Sequence, residues 1–183
     1  MEKAELRKIF KQKRKDLNEV ERQMLSQLIA DNLIEKFDLH DKNISIFLPI
    51  ERFQEINTWN ILDQVDAKFY VPVVKEKSLK HILLESEDQL EVSHWGIPEP
   101  IYGDEVEPRS FDFVLVPLLA IDQKGNRVGY GAGFYDGFLK DCNPECQFIG
   151  LSYFEPVEKI SDISTSDISL HYCVTPNSVH CFK

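Results

Sequence analysis

A glycine-rich segment in the second half of the chain carries the residue types best suited to chemistry. Gly129, Gly131 and Gly133 alternate with larger residues, and they are flanked by Arg127 and Asp136. Alternate glycines let the backbone approach a ligand closely, and their N–H groups can bind a phosphate together with the start of a following helix. Arg127 adds a planar cation suited to phosphate oxygens, and Asp136 a carboxylate suited to Mg²⁺.

The pattern of this loop by itself leaves a second interpretation open, namely a tight structural turn. No Gly-Lys-Ser or Gly-Lys-Thr follows, so the segment is not a Walker A loop. The third glycine also comes too early for the dinucleotide-binding pattern G-x-G-x-x-G. From its position alone, Asp136 is either a metal ligand or an exposed acid.

A basic stripe at the N-terminus forms the second group of candidate residues. Residues 1–15 hold seven basic side chains against two acidic ones, a net of +5, in a chain of net charge −10. Apolar residues recur at helical spacing from Ala4 to Leu17, and the basic residues border that apolar face. This placement favours the wall of a cleft, with a solvated surface as the alternative. The stripe consists of Lys3, Arg7, Lys11 and Arg14.

The elements that must position these residues alternate between helix and strand. Asn18 and Glu21 have the spacing of a capping box, so a second helix should run to about Phe37. We predict that Thr58 caps a short helix reaching about Val65. Apolar segments predict strands at 44–48, 69–74, 80–84, 111–117, 147–153 and 172–175, whereas 93–108 should be irregular. The inward positions of the second helix should include Met24, Leu28 and Leu33.

This alternation predicts an α/β fold, a three-layer sandwich with a mostly parallel central sheet. The length of 183 residues suits a single domain spanning 1–183. We expect its four cysteines to be reduced and mostly buried, and the zinc interpretation of Cys142 and Cys146 is weak because their spacing is not finger-like.

Composition narrows the classes of partner. An acidic protein is a poor general nucleic-acid binder, so we expect no nucleic-acid partner. No apolar run approaches the roughly 20 residues that cross a bilayer, so we expect no membrane partner. The charged first residues lack the apolar stretch of a secretory signal, which predicts a cytoplasmic protein.

The run from Asn126 to Asp136 resembles the signature of the 5-formyltetrahydrofolate cyclo-ligase family, also called methenyltetrahydrofolate synthetases. That signature has an arginine, three alternating glycines, an aromatic residue and Tyr-Asp. Further matches follow the family order: Lys3 with Arg7, and then residues 46–48 with 55–58, 95–100 and 167–175. The chain departs from the common pattern at Tyr130, Ala132, Gly137 and His171.

The resemblance implies an ATP- and Mg²⁺-dependent enzyme that closes 5-formyltetrahydrofolate into 5,10-methenyltetrahydrofolate and releases ADP and phosphate. The γ-phosphoryl group would go to the formyl oxygen, and N-10 of the same folate would then displace phosphate. The resemblance also implies a fold similar to sugar-phosphate isomerases and CoA-transferases, and we expect a monomer.

The resemblance carries specific roles to specific residues. Arg127, Tyr135 and Asp136 would be catalytic. Lys3, Arg7, Arg127, Gly129, Gly131, Gly133, Phe134 and Tyr135 would bind ATP. Leu48, Glu55, Tyr130, Gly131 and Phe134 would bind the folate, with Glu55 a hydrogen-bond partner of the pterin. Asp136 and Asp167 would hold Mg²⁺.

Several alternatives remain at this point. Glu55 is otherwise a carboxylate at a helix entry, and Asp167 a helix N-cap. Trp95 and Phe47 could stack on a ligand ring, although core packing is favoured for both. The chain as a whole could be a non-catalytic folate or nucleotide-binding module, or an enzyme of the isomerase or CoA-transferase type, since fold does not fix function.

Overall fold

The computed structural model describes residues 1–76, 78–93 and 96–182. Its helices are α1 (Lys3–Asp16), α2 (Glu19–Lys36), α3 (Trp59–Leu62) and α4 (Phe134–Asp141). Its strands are β1 (Asn43–Ser45), β2 (Lys68–Lys75), β3 (Ser78–Leu83), β4 (Leu90–Val92), β5 (Pro98–Pro100), β6 (Glu105–Val106), β7 (Phe113–Pro117), β8 (Ala120–Ile121), β9 (Arg127–Val128), β10 (Gln147–Leu151), β11 (Tyr172–Val174) and β12 (Val179–Cys181).

The central sheet of the described residues has the strand order β12-β11-β10-β7-β1-β2-β3-β6. Its middle, from β11 to β2, is parallel, while β12, β3 and β6 pair antiparallel at the edges. Strands buried on both faces read as continuous apolar runs, as β7 does with every residue from Phe113 to Val116 buried. The predicted α/β architecture with a mostly parallel sheet is confirmed.

The N-terminal helices form where the sequence predicts them. Leu6 and Phe10 on α1 are buried, so its apolar face packs inward. The capping box that starts α2 is present, because the Glu21 N–H donates to Asn18 Oδ1 at 2.9 Å and the Asn18 N–H donates to Glu21 Oε2 at 2.8 Å. This cap ends the α1–α2 connection within two residues and fixes the direction in which α2 leaves.

The predicted inward face of α2 is wrong for two of its three residues. Leu33 is fully buried, but Met24 is 58% exposed and Leu28 is 41% exposed. The buried face is formed by Ser26, Ile29, Ala30 and Leu33. Because successive residues are about 100° apart on a helix, Met24 and Leu28 lie together on the more exposed side of α2.

The Thr58 cap is also wrong, because the Thr58 hydroxyl donates to the Phe47 carbonyl at 2.6 Å and makes no cap bond. The helix that follows ends at Leu62 instead of near Val65. Its one turn is held instead by packing of the buried Ile61 in the core. Thr58 therefore ties the segment after β1 to the start of α3.

Several strand limits differ from expectation. β1 ends at Ser45, three residues earlier than predicted, although the Ile46 N–H still donates to the Tyr70 carbonyl at 3.0 Å. The segment 93–108 is not wholly irregular, since it contains β5 and β6. Trp95 lies outside the described residues.

The order of strands creates a switch point between β1 and β7. From β1 the chain continues to β2 on one side, and from β7 it continues to β10 and β11 on the other. In open α/β sheets, ligands bind outside the carboxyl ends of the strands at such a point. None of the described helices is both long enough and apolar enough to cross a bilayer.

Candidate active site

A cleft of about 460 Å³ opens at this switch point. Its walls come from the start of α1, the segment that follows β1, strand β2, the glycine loop, the start of α4 and Asp167. The cleft volume is in the range typical of small-molecule sites. Every residue predicted to bind or act lines it: Lys3, Arg7, Leu48, Glu55, Arg127, Gly129, Tyr130, Gly131, Gly133, Phe134, Tyr135, Asp136 and Asp167.

Helix α1 brings two cations to one end of the cleft. The Lys3 ammonium forms an ion pair with Asp167, and the Lys3 N–H donates to Asp162 Oδ1 at 2.8 Å. The Arg7 Nε–H donates to the Gly129 carbonyl at 2.9 Å. A Cβ on Gly131 would sit 3.7 Å from the Arg7 guanidinium carbon. The two cations are therefore fixed against the glycine loop and the stretch around Asp167.

The glycine loop presents open backbone to the same end. Gly131 and Gly133 have φ of +108° and +75°, a region that L side chains adopt only with strain. A Cβ on Gly129 or Gly133 would meet no atom within 4 Å. Gly133 is also the N-cap of α4, and no side chain caps the helix there. The first N–H groups of α4 are thus available to an anion.

An ion pair closes this loop. Arg127 Nη2 lies 2.7 Å from Asp136 Oδ1, and Arg127 Nη1 donates to the Ile168 carbonyl. The Ile168 N–H in turn donates to Asp136 Oδ1 at 3.0 Å. The sequence predicted a phosphate contact for Arg127 and a metal for Asp136. The structure pairs the two side chains with each other.

The two predicted metal ligands fit Mg²⁺ by the chemistry of their donor atoms. Asp136 engages only Oδ1 in hydrogen bonds to the described residues, and Asp167 engages only Oδ2, with Lys3 and the Ser164 N–H. Each carboxylate thus keeps one oxygen for a cation. Magnesium in nucleotide sites takes one or two carboxylates and completes its shell with phosphate oxygens and water.

The environment of Asp167 favours its charged form. Partial burial opposes ionisation, but the Lys3 ammonium and the Ser164 N–H outweigh it and hold the pKa of Asp167 below its usual value. Asp167 is therefore ionised at neutral pH, as a metal ligand requires.

Tyr135 has a buried hydroxyl with no hydrogen-bond partner among the described residues. Burial, with a smaller effect from the charge of Glu55, raises the pKa of Tyr135, so the group remains a hydrogen-bond donor. Leaving a buried donor unpaired costs about 1–3 kcal/mol. Because Tyr135 lines the cleft, a ligand oxygen in the cleft would be the natural acceptor.

The other end of the cleft combines apolar side chains with a buried acid, Glu55. Phe47 and Leu48 line it and are almost fully buried, so Phe47 serves both the core and the cleft wall. Glu55 is 8% exposed, and one carboxylate oxygen accepts the Ile50 N–H at 2.9 Å. Burial raises the pKa of Glu55.

The prediction from sequence missed residues that shape this end. Arg14 is buried at 3% exposure, and its Nη1 donates to the Tyr130 hydroxyl at 2.8 Å. Phe53 stacks on the Tyr130 ring with 4.8 Å between centroids. Arg14 belongs to the basic stripe of α1 and follows the buried Phe10 by one helical turn, a pattern that indicates its burial. No pattern in the sequence identifies Phe53.

The thiols lie away from this chemistry. Cys142, Cys146 and Cys173 are buried and Cys181 is exposed, and the four thiols form no disulfide with one another. The expectation of reduced, mostly buried cysteines is confirmed.

Comparison with known proteins agrees with this fold. A model of the 5-formyltetrahydrofolate cyclo-ligase family matches residues 1–165. The 5-formyltetrahydrofolate cyclo-ligase of Haemophilus influenzae is 31% identical over 163 residues, covering 82% of each chain. That of Mycoplasma genitalium is 26% identical over 180 residues, covering 94% of this chain and 98% of its own.

The solved structures include one from the same group of proteins. The NMR structure of Aquifex aeolicus 5,10-methenyltetrahydrofolate synthetase superposes with a TM-score of 0.85 at 31% identity, covering 100% of this chain and 94% of its own. The fold and the family match together define an α/β enzyme of the ligase class. The chain belongs to the 5-formyltetrahydrofolate cyclo-ligase family.

Proposed function

We propose that this enzyme closes 5-formyltetrahydrofolate into 5,10-methenyltetrahydrofolate at the expense of ATP, with Mg²⁺ as the metal. The observation that carries the proposal is the division of one cleft into two ends. One end holds Lys3, Arg7 and the open glycine backbone, and the other holds the buried Glu55 together with Phe47 and Leu48. A nucleotide phosphate chain suits the first end and a pterin ring the second.

The chemistry requires activation of a poor electrophile. The formyl group on N-5 is amide-like, and its oxygen is a poor leaving group. Transfer of the γ-phosphoryl group breaks its bond to the bridging oxygen of ADP and forms a bond to the formyl oxygen. N-10 then attacks the formyl carbon and loses its proton, and the carbon–oxygen bond breaks as phosphate leaves. This route needs alignment and charge stabilisation, and no protein nucleophile.

The phosphate end supplies both requirements. Lys3 and Arg7 would contact phosphate oxygens, together with backbone N–H groups from Gly129 to Phe134. Each charge-assisted hydrogen bond is worth roughly 1.5–3 kcal/mol. Mg²⁺ held by Asp136 and Asp167 would neutralise charge on the phosphates. When Asp136 binds the cation, Arg127 would keep its bond to the Ile168 carbonyl and turn Nη2 toward a phosphate.

The folate end would orient the substrate for ring closure. The pterin ring of folate carries a ring N–H beside an amino group, and the Glu55 carboxylate can accept from both. Leu48 would pack on the ring, while Tyr130, Gly131 and Phe134 would line the passage between the two ends. The Tyr135 hydroxyl would donate to an oxygen near the reacting formyl group.

The decisive experiment follows absorbance near the methenyl-folate band. Purified protein is mixed with Mg-ATP and 5-formyltetrahydrofolate, and each component is omitted in turn. Growth of the band that needs all components, with one ADP released per methenyl product, is the expected result. Absence of both product and ADP would overturn the proposal.

A matched pair of variants links the activity to the cleft. Glu55→Gln should raise the KM for the folate and leave the KM for ATP nearly unchanged, whereas Arg7→Gln should do the reverse. Tight binding of Mg-ATP and folate without turnover would instead favour the non-catalytic binding module. Binding of a sugar phosphate or a CoA ester but not ATP would favour the isomerase or CoA-transferase type.

A further inference from the structure

A buried arginine stands behind the folate end of the cleft. Arg14 donates through Nη1 to the Tyr130 hydroxyl at 2.8 Å and to the Phe53 carbonyl at 3.4 Å, and through Nη2 to the Leu118 carbonyl. It is almost fully enclosed, and it forms no salt bridge to a carboxylate among the described residues. Burying a cation costs free energy unless hydrogen bonds or opposite charges compensate for its lost hydration. The burial of the Arg14 guanidinium therefore points to a role beyond packing.

The explanation lies in the direction of the hydrogen bonds. The Tyr130 oxygen accepts from Arg14, so its own proton is free to be donated onward. The Glu55 carboxylate accepts the Ile50 N–H at 2.9 Å, and it lies close enough to the Tyr130 hydroxyl for that hydroxyl to lower the pKa of Glu55. The Tyr130 proton, which the bond from Arg14 directs away from the guanidinium, is therefore available to this carboxylate. Hydrogen bonds linked in one direction strengthen one another.

We propose that Arg14 is a positioning residue that acts through Tyr130 to keep Glu55 ionised inside the cleft, so that folate binding persists into mildly acidic conditions. The inference rests on the proposed function, because it assumes that Glu55 receives the pterin edge. A carboxylate can accept from both pterin donors, whereas a protonated acid would set a donor against them.

The electrostatics of the surroundings agree with this geometry. Burial raises the pKa of Glu55, while the Ile50 N–H, the Tyr130 hydroxyl and the charge of Arg14 lower it. Two other titratable side chains face Glu55: Tyr135 of α4 and Tyr153 beyond β10, whose hydroxyl donates to the Glu55 carbonyl at 3.0 Å. Burial raises the pKa of both tyrosines, so neither brings charge at neutral pH. Among the described groups, Arg14 is therefore the cation that lowers the pKa of Glu55, after the larger effects of the Ile50 N–H and the Tyr130 hydroxyl, while burial remains the largest influence.

The variant Tyr130→Phe tests the central link. It removes the donor and keeps the ring that stacks on Phe53. Removing the donor raises the pKa of Glu55 further. On acidification, the variant should therefore lose folate binding at a higher pH than the wild-type protein does. We expect the acid limb of kcat/KM for the folate to move up by about one pH unit, with the KM for ATP unchanged. The acid limb of the folate Kd, measured by calorimetry, should move with it.

Paired substitutions at Arg14 separate charge from packing. Arg14→Gln should shift the acid limb in the same direction as Tyr130→Phe, and Arg14→Lys should restore part of the shift because it retains the charge. Lys8→Gln, an exposed cation on the same helix, is the matched control and should leave the limb in place. Thermal unfolding of each variant identifies any that fails to fold, and Tyr130→Phe then carries the test.

The double variant Tyr130→Phe with Glu55→Gln completes the design. Once Glu55 cannot ionise, loss of the Tyr130 hydroxyl should change folate affinity less than twofold. An unshifted acid limb in folded Tyr130→Phe would overturn the inference. So would a loss of folate affinity, on removal of the Tyr130 hydroxyl, that is the same with Glu55 as with Gln at position 55. If the wild-type protein binds folate without turnover, only the proposed function is refuted. The pH dependence of the folate Kd, measured by calorimetry, would still test the link from Arg14 through Tyr130 to Glu55.

Discussion

Arg127 and Asp136 are joined by an ion pair, with 2.7 Å between Nη2 and Oδ1, across the glycine loop that separates them in sequence. The pair links β9 to the first turn of α4, so the loop is held at both ends. Both side chains also bond to the backbone of Ile168, which brings the stretch around Asp167 to the same place. At this end of the cleft, the Arg127–Asp136 ion pair thus holds together the glycine loop, the start of α4 and the stretch around Asp167.

Replacing Asp136 should separate catalysis from folding. Asp136→Ala removes the proposed metal ligand and the partner of Arg127, and we expect turnover to fall by at least about 10²-fold. The fold should survive, because the loss is one partly exposed ion pair and one backbone hydrogen bond. Mg²⁺-dependent product formation and circular dichroism measure the two effects. Asp141→Ala, at the far end of the same helix, is the control, and near-full activity of Asp136→Ala would remove Asp136 from the site.

Two glycines should respond oppositely to alanine. A Cβ on Gly125 would lie 2.5 Å from the Leu170 carbonyl, at a φ of +79°. Gly125→Ala should lower the free energy of unfolding by about 2 kcal/mol or more. Gly137 on α4 has nothing within 4 Å of a Cβ, so Gly137→Ala should be neutral or stabilising by up to about 1 kcal/mol. Urea unfolding measures both, and equal effects would contradict the geometry.

His81 should make stability depend on pH. It is buried against Phe138 and its Nε2 lies 2.9 Å from the Ser45 hydroxyl, and burial lowers its pKa from 6.5 to about 3. Below pH 6.5, His81 therefore binds a proton in the unfolded chain but stays neutral in the folded protein. The free energy of unfolding falls as the pH drops below 6.5. The slope from this group is at most about 1.4 kcal/mol per pH unit.

The measurement compares urea unfolding at pH 6.5 and pH 5 in wild-type protein and His81→Phe. The variant should lose part of the pH dependence in that window, above the range in which most carboxylates titrate. His40→Gln, at an exposed histidine, should retain the wild-type dependence. Identical pH dependence in all three proteins would show that His81 titrates normally.

The thiols should react at very different rates. Cys181 is exposed, whereas a hydrogen bond with Cys142 and burial raise the pKa of Cys146, and burial raises that of Cys173. Because the thiolate is the reactive form, a disulfide reagent should modify one thiol quickly in the native protein and four in denaturant. Cys181→Ser should abolish the fast phase. Persistence of a fast phase in that variant would place a second thiol at the surface.

Local patterns in the sequence predicted much of the site because they act over short distances. The basic stripe of α1 and the glycine loop each depend on spacing within one element, and the structure places the glycine loop and two residues of the stripe, Lys3 and Arg7, on one cleft. The burial of β7 followed from its unbroken apolar run. Strands of two or three residues, such as β8, β9 and β12, were not predicted, because an alternation of apolar and polar residues cannot be recognised over so few positions.

Pairings between residues that are far apart in the sequence could not be predicted from local patterns. Nothing in the sequence assigns Lys3 to Asp167 or Arg127 to Asp136, since each pairing depends on how the whole sheet folds. The inward face of α2 failed for a related reason. Its apolar residues occur around most of the helix, and the partner elements decide which of them are covered.

The tie between the first helix and the stretch before β11 has a consequence for synthesis on the ribosome. The Met1 carbonyl accepts the Ser161 N–H at 3.0 Å, and Lys3 reaches residues 162 and 167. During synthesis the cations of α1 therefore remain without these partners until residues 161–167 have been made. The wall of the cleft that α1 supplies should form only after that point.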